Sequence, residues 1–378
     1  MGPLQGFRII EVVGLAAAPY CGMLLADMGA DVIRIERPSP RRVSQQSPRD
    51  PLVRGKRTVN LDLKSPADLE KLLELVSAAD ALFEGFRPGV AERLGFGPAV
   101  CLERNPKLVF GRLTGWGQQG PYAQMAGHDI NYIALTGALH TVGVRGGKPV
   151  PPLNLVGDFG GGGLFLAFGM LCALLEAGKS GRGQVVDAAI VDGAASFMAM
   201  SHGYSACNKF NPNPGQDILG GRAPFYNTFE TSDGKFVSIG AVEPQFFSEL
   251  LRLTGLSAER FTSAGYAGLF GRPDTSIWDE LERELTIAFR AKTRDEWCTL
   301  FEGTDACFAP VLTLSEAHEH KHNRERASYI EIDGVVQPAP APRFSRSRPE
   351  TPATMLPQET SARAVLDRWL DSRQRHAI

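Results

Sequence analysis

The stretch RIIEVVGLAAAPYCGMLLADMGADVIRIERP (Arg8–Pro38) decides the fold class of this chain. It predicts a buried strand over Arg8–Val13, a helix near Ala17–Met28 and a second strand over Asp31–Ile35, because two β-branched runs flank a longer helical pattern. A strand, a helix and a strand in succession form a βαβ unit, which joins parallel strands. The sequence therefore predicts an α/β protein with a parallel sheet.

The same alternation continues to about residue 120, with a helix predicted near Pro66–Ala78 and strands at Ala81–Phe83 and Lys107–Leu113. Small residues at Ala16–Ala18 follow the first strand, but the GxGxxG pattern of dinucleotide-binding folds is missing there. We expect a Rossmann-like large domain that does not use a nicotinamide cofactor.

Two linkers divide the chain, one at Asn208–Gly221, rich in Asn, Pro and Gly, and one at Pro338–Pro352. After the first linker, the Ser232–Gly234 turn between two β-branched runs predicts a hairpin. A smaller α+β domain is expected to begin there.

Composition excludes several functional classes. The 378 residues carry 40 basic and 42 acidic side chains, a net charge of −2, so a general nucleic-acid binder is not expected. The six cysteines lie far apart without CxxC spacing, which indicates neither a disulfide framework nor structural zinc. We find no signal-peptide pattern and no apolar run of about 18 residues, and therefore expect a cytoplasmic protein without a membrane span.

Four acidic or histidine residues in three motifs could carry acid–base chemistry. His128 and Asp129 stand in GHDINY where a loop enters a helix, Asp158 stands in NLVGDFGGGG before an apolar helix, and Glu243 stands in GAVEPQF before a proline-initiated helix. Each also fits an ordinary helix cap or a satisfied loop residue. The glycines after Asp158 would let a ligand approach the backbone closely. His318, His320 and His322 fit a solvated helix end better than a metal site, and no metal is expected.

Basic residues cluster near the first strands. Arg37 follows the second strand, RGKRTVNLDLK (Arg54–Lys64) adds four cations, and Arg93 lies near Phe86. Such clusters bind phosphates or form solvated surface. Neither a GxSxG nucleophile elbow nor a Walker A sequence occurs.

Many motifs in matching order resemble the family III CoA transferases (CaiB/BaiF type), and among them most closely the α-methylacyl-CoA racemases. The motifs cover nearly the whole chain and include LQGFRIIEV, LADMGADVIRIERP, RGKRTVNLDLK, LFEGFRPGV, GHDINY, GDFGGGG, GRGQVVDAAIVDG, GGRAPFY, GAVEPQF and GTDACFAPVLT. This resemblance implies that an acyl-CoA thioester is the substrate and that CoA enters as part of it, with no separate cofactor.

The resemblance also implies where CoA lies and how the chain assembles. It implies an interlocked homodimer with a large domain over residues 1–207 completed by 325–378, a linker over 208–222 and a small domain over 223–324. The active site would lie where the large domain of one subunit meets the small domain of the other. The CoA-binding positions it implies are Arg37 near the adenine, Leu61 and Lys64 at the nucleotide, Phe86 and Arg93 along the phosphates, and Gly127, Asn131 and Tyr132 at the thioester.

Two chemistries occur in families of this type. In the transferases the aspartate at the Asp158 position attacks the thioester, whereas the racemases add a histidine where His128 stands. Inverting a carbon next to a thioester needs two acid–base groups, and His128 and Asp158 supply two. The backbone N–H of Asp129 would stabilise the enolate oxygen, and Glu243 would orient His128. We expect racemisation, with CoA transfer through Asp158 and noncatalytic CoA binding as the alternatives.

Overall fold

The computed structural model describes residues 2–12, 14, 16–38, 50–262, 275–352 and 358–376. Within them the β-strands, in chain order, are β1 Arg8–Val12, β2 Asp31–Glu36, β3 Arg57–Asn60, β4 Ala81–Glu84, β5 Val109–Thr114, β6 Val185–Ala189, β7 Tyr226–Glu230, β8 Phe236–Gly240, β9 Phe308–Val311, β10 Tyr329–Ile332, β11 Val335–Pro338 and β12 Gln358–Glu359.

The α-helices, in the same order, are α1 Ala17–Asp27, α2 Pro66–Ala78, α3 Val90–Leu94, α4 Pro98–Arg104, α5 Asp129–Leu135, α6 Ala138–Thr141, α7 Phe165–Ser180, α8 Ile190–Ser196, α9 Ala199–Ala206, α10 Pro244–Thr254, α11 Ala258–Thr262, α12 Trp278–Arg290, α13 Arg294–Phe301, α14 Leu314–Ala317, α15 Lys321–Glu325 and α16 Ala362–His376. Pro51–Val53 forms a 3₁₀ turn. Leu155–Leu164 and Ile218–Arg222 form π-helices.

The chain folds into two compact units. The first unit comprises Met1–Thr136, Pro152–Phe197 and His322–Ile378, and the second comprises Gly137–Pro151 and Met198–Lys321. Our division by sequence instead places residues 137–151 and 198–207 in the large domain. Arg145 accounts for the first difference, since its guanidinium lies 2.7 Å from a carboxylate oxygen of Asp279 on α12.

A seven-stranded sheet forms the centre of the first unit. Its strand order is β12-β3-β2-β1-β4-β5-β6, and every neighbouring pair is parallel. The predicted α/β class with a parallel sheet is confirmed. Strand β3 was not predicted, because its residues were interpreted as part of a cationic cluster.

Apolar side chains cover both faces of this sheet. One face packs Ile10, Ile33 and Leu82 against α2 and α16, and Trp369 of α16 is 1% exposed. The other face packs Ile9 and other strand residues against α1 and α7. Helices on both faces are what a parallel sheet needs, because its strands are buried on both sides.

The cationic cluster around β3 is largely internal. Lys56 is buried, and its Nζ lies 2.5 Å from Glu11 of β1 and donates to the carbonyl of Pro19. Arg54 is also buried and pairs with Asp27 at the end of α1. Neither cation is solvated surface or a free phosphate ligand, so both interpretations offered from sequence are wrong for these two residues.

The second unit carries a three-stranded antiparallel sheet, β7-β8-β9. The predicted hairpin is present, with Glu230 opposite Phe236 at its closed end. Aromatic rings fill the core beside this sheet: Phe289 stacks on Phe229 with ring centroids 5.3 Å apart and contacts Trp297 at 5.0 Å. This unit has its own hydrophobic core, which fits the expected α+β class.

One continuous helical stretch in the described part of the chain, Leu155–Ser180, is long and apolar enough to cross a membrane by length and composition. Our expectation of no such run is wrong, because the glycines at 160–163 interrupt the apolar letters without interrupting the helix. Its inner side chains, among them Leu166 and Met170, are fully buried in the core of the first unit.

Candidate active site

The strand order of the first unit places its chain reversal between β1 and β4. Strands β3, β2 and β1 run outward to one side and β4, β5 and β6 to the other, which is the doubly wound order. Ligands of such sheets bind beyond the carboxyl ends of the strands at this reversal. Gly14 and Gly85 follow β1 and β4, and their backbones approach closely there.

His128 stands at the start of α5, after the segment that leaves β5. It is the N-cap residue and is exposed, and its backbone N–H donates to the side-chain oxygen of Asn131 at 3.1 Å. Asn131 therefore fixes the loop before the helix. Asp129 is the first residue inside the helix, so the interpretation of Asp129 as the N-cap is wrong.

Asp158 lies inside the π-helix, in its first turn, where the sequence suggested a position before a helix. The Asp129 carboxylate accepts a 2.7 Å hydrogen bond from the backbone N–H of Asp158. A side chain at Gly157 would lie 2.5 Å from that carboxylate oxygen, so glycine leaves the room that the contact needs. The GHDINY and GDFGGGG motifs thus meet in space, and π-helical turns are frequent at functional sites.

The electrostatic surroundings of Asp158 favour its neutral form. Burial and the negative charge of Asp129 raise the pKa of Asp158 from its ordinary value of 3.8 to about 6, against opposing effects of His128 and a hydrogen bond from Asn154. Carboxyl groups with a pKa near the working pH serve as both proton donor and acceptor. His128, Asp129 and Asp158 therefore form one electrostatic cluster on the first unit.

Tyr132 supports the loop that carries His128. Its hydroxyl donates to the carbonyl of Gly127, and its ring packs edge-on against Trp116 with centroids 4.7 Å apart. A side chain at Gly115 would lie 2.1 Å from that ring. Burial, followed by the charge of Asp158, raises the pKa of Tyr132, so its hydroxyl stays protonated near neutral pH.

The glycine run after Asp158 packs against protein. A side chain at Gly161 would lie 2.6 Å from the backbone nitrogen of Ala194 on α8, and one at Gly163 would lie 2.5 Å from the carbonyl of Ala17 on α1. These glycines permit close helix–helix contact. Their interpretation as a surface for close ligand approach is wrong for Gly161 and Gly163.

The expected CoA-binding residues follow the carboxyl ends of β2, β3 and β4. Arg37 is 71% exposed, and Lys64 and Arg93 are also exposed, so these three cations are available to a ligand. Phe86 is half-buried and packs its ring edge-on against Phe96. Leu61 is 3% exposed and belongs to the core, so its side chain does not offer a nucleotide surface.

Glu243 belongs to the second unit. It is the exposed N-cap residue of α10, and its side chain makes no capping hydrogen bond there, which removes the simplest structural explanation of this carboxylate. Together with burial, its charge raises the pKa of the Cys307 thiol. A cavity of about 480 Å³ in this unit is lined by Cys307 and by residues of β7 and β8.

Three features of the first unit were not predicted from the sequence. The Asp129 carboxylate contact and the Asn154 hydrogen bond to Asp158 join residues through tertiary structure. Glu84, buried at the end of β4, has its pKa raised to about 7 mainly by burial, although Arg112 lies 3.1 Å away. Glu84 could have been recognised from the sequence as an acidic residue within an otherwise apolar, buried strand. Within the described ranges, no cluster of His, Cys, Asp or Glu is suited to a metal ion.

A family model described as CoA-transferase family III matches residues 4–359. The chain belongs to this family. Among its similar members, the alpha-methylacyl-CoA racemase of Mus musculus is 45% identical over 91% of this chain and 87% of its own length. The racemase of Homo sapiens is 42% identical over 90% of this chain and 86% of its own length.

Solved family III structures share the fold. The crystal structure of the Mycobacterium tuberculosis protein Rv3272 superimposes with a TM-score of 0.78 at 28% identity, covering 96% of this chain and 97% of its own. That protein is named a probable fatty acyl-CoA transferase. The family III proteins similar to this chain thus include some named racemases and some named CoA transferases, the two chemistries considered in the sequence analysis.

Proposed function

We propose that this chain is an acyl-CoA racemase that interconverts the (R) and (S) forms of 2-methylacyl-CoA thioesters. Its relatives at 45% and 42% identity are named alpha-methylacyl-CoA racemase. The single structural observation that carries the proposal is the hydrogen bond from the N–H of Asp158 to the carboxylate of Asp129, the residue after His128, which brings the two motifs together. His128 is among the groups that influence the pKa of Asp158, which is raised to about 6. A two-base inversion needs this pairing, whereas a nucleophilic aspartate needs no histidine beside it.

In the proposed reaction, one of the two groups removes the α-proton from one face of the substrate. The C–H electrons move into an enolate whose charge rests on the thioester oxygen. The other group then delivers a proton to the opposite face, and each group ends in the protonation state in which its partner began. General acid–base groups of this kind typically contribute about 10²–10⁴-fold each.

The enolate oxygen would be stabilised by the backbone N–H of Asp129. The first N–H groups of a helix lack an intrahelical partner, and their dipoles favour negative charge. One such donor is worth about 3–4 kcal/mol of barrier in enzymes that stabilise oxyanions. CoA would follow the exposed cations Arg37, Lys64 and Arg93 along the carboxyl ends of the strands.

The proposal includes an interlocked homodimer in which Glu243 of one subunit orients His128 of the other. Two observations support it. The Glu243 carboxylate makes no cap bond to its own helix, and α7 exposes Phe168 and Leu175 at 65% and 69%. Apolar surface of this kind commonly marks protein interfaces. Sedimentation at micromolar protein should give about twice the 40.9 kDa chain mass, and a stable active monomer would contradict it.

Exchange with heavy water tests the chemistry. A 2-methylacyl-CoA incubated with the enzyme should acquire α-deuterium and racemise. His128→Ala and Asp158→Ala should each abolish racemisation, while the remaining base still exchanges the proton on its own face, so the two variants should label opposite enantiomers. CoA transfer to a free acid, with an aspartyl adduct at Asp158 trapped by hydroxylamine and no exchange, would establish the transferase instead.

A further inference from the structure

The carboxylate of Asp129 has a contact that the proposed mechanism does not use. Its backbone N–H is assigned to the enolate, but its side chain is directed into the protein, and the residue is 6% exposed. One oxygen, Oδ2, accepts the 2.7 Å hydrogen bond from the N–H of Asp158. The other, Oδ1, is buried and has no hydrogen-bond partner among the described residues. A buried carboxylate that is only half satisfied is costly and calls for an explanation.

We propose that the Asp129 carboxylate is a positioning group for Asp158: it holds the π-helix peptide that carries Asp158 and sets a second carboxylate beside it. The role of Asp129 in catalysis rests on the proposed function, in which Asp158 is one of the two acid–base groups.

The positioning part follows from the start of the π-helix. Backbone N–H groups in the first turn of a helix have no partner within it. The N–H of Asp158 takes its partner from α5, 29 residues earlier in sequence, through a charge-assisted bond. Gly157 leaves space for this bond, since a side chain there would meet Asp129 Oδ2 at 2.5 Å. The bond therefore ties the helix that carries one proposed base to the helix that begins beside the other.

The electrostatic part follows from the groups that face Asp158. On α5 these are Asp129, which raises the pKa of Asp158, and His128, which lowers it, and on its own helix Asn154 lowers it by a hydrogen bond. The Tyr132 hydroxyl is also near, and Arg87 lowers the pKa of Tyr132.

The other elements packed on the π-helix are α1, α7, α8 and the strands β5 and β6. None of their titratable groups is among those that shift the pKa of Asp158; these groups are Tyr20, Cys21 and Asp27 on α1, Cys172, Glu176 and Lys179 on α7, Asp192 on α8, Arg112 on β5 and Asp187 on β6. After burial, Asp129 is thus the main influence that raises the pKa of Asp158.

The two parts separate in two substitutions. Asp129→Asn keeps an oxygen that accepts from the Asp158 N–H but removes the charge, whereas Asp129→Ala removes both. Carbodiimide labelling of Asp158, followed by mass spectrometry across pH on the whole protein without substrate, reports its protonation. Hydrogen–deuterium exchange of the Asp158 amide reports whether its hydrogen bond to the Asp129 carboxylate is intact. Asp192→Asn, an exposed carboxylate on α8, is the matched control.

We expect Asp129→Asn to lower the labelling midpoint of Asp158 by about one pH unit and to leave amide protection intact. Asp129→Ala should lower the midpoint and also raise amide exchange at least tenfold. Gly157→Ala, which displaces the carboxylate sterically, should lower the midpoint as well. Asp192→Asn should change neither readout.

An unchanged midpoint in Asp129→Asn would overturn the electrostatic part, and unchanged amide protection in Asp129→Ala would overturn the positioning part. Neither readout involves turnover, so both are independent of whether the racemase assignment holds. In the active enzyme, the acid limb of the kcat/KM profile of Asp129→Asn should move to lower pH together with the labelling midpoint.

Discussion

Replacing Asp158 by asparagine removes a carboxyl group that the fold holds in an unfavourable environment for its charge. Its pKa is raised from 3.8 to about 6, first by burial and then by Asp129. At about 1.4 kcal/mol for each pH unit between the two values, full ionisation would cost the folded state about 3 kcal/mol. The side chain is partly exposed, and solvent screening reduces this to about 1–2 kcal/mol.

The sign of the effect follows from linkage. A carboxyl group with a raised folded-state pKa adds stability below its unfolded value of 3.8, and this contribution is lost as the pH rises through about 6. Asparagine does not ionise, but it keeps an oxygen that accepts from Asn154. Asp158→Asn should therefore equal the wild type in stability near pH 4 and exceed it at pH 8.

Thermal melting of both proteins between pH 4 and pH 8 measures the difference. We expect Asp158→Asn to melt about 1–4 °C above the wild type at pH 8, with the gap closing below pH 5, while activity is lost. Asp192→Asn should show no pH-dependent gap. A variant that is destabilised at pH 8, or whose gap does not vary with pH, would refute the reasoning.

Three further outcomes are expected. Gly115→Ala should lose about 1–3 kcal/mol in thermal or urea unfolding, because its Cβ would lie 2.1 Å from an aromatic ring, whereas Gly178→Ala, with no atom within 4 Å, should not. Arg37→Ala and Arg93→Ala should each lose about 1–3 kcal/mol of CoA-ester binding, which raises KM roughly 5- to 150-fold with kcat nearly kept, and unchanged KM in both would contradict the nucleotide placement. Arg54→Met should cost about 3–5 kcal/mol, because it leaves a buried carboxylate unpaired, and a neutral effect would disprove that pairing.

The parts of the fold that follow a regular local pattern were predictable. Helix α2 begins at a proline and follows a helical apolar spacing, and its predicted bounds Pro66–Ala78 coincide with the structure. Strand β3 was not recognised, because the two cations before it and Arg57 within it are neutralised by acidic residues distant in sequence. The partner of Lys56, for example, is Glu11, 45 residues earlier, and no local spacing reveals it.

The residues of the candidate site could be predicted from the sequence, but the contacts between them could not. The loop before α5 and the glycine-rich segment were recognised as places for His128 and Asp158. The bond that joins them passes through the Asp129 side chain, for which only a cap or a backbone role was considered. The placement of Leu61 at the nucleotide stays a prediction for its backbone, since a position in a matching motif does not say where the side chain points, and this side chain is buried.

The C-terminal helix gives this protein an order of assembly. Trp369 of α16 donates to Asp31 of β2 across 338 residues, and β12 pairs with the outer edge of β3. A ribosome adding about 5–20 residues per second needs roughly 20–70 s to span that interval. Throughout that time β3 is an unpaired edge and the face that receives Trp369 is uncovered. The sheet that carries the site is therefore begun early in synthesis and completed only after β12 and α16 have been made, and an exposed strand edge of this kind is prone to association with other chains.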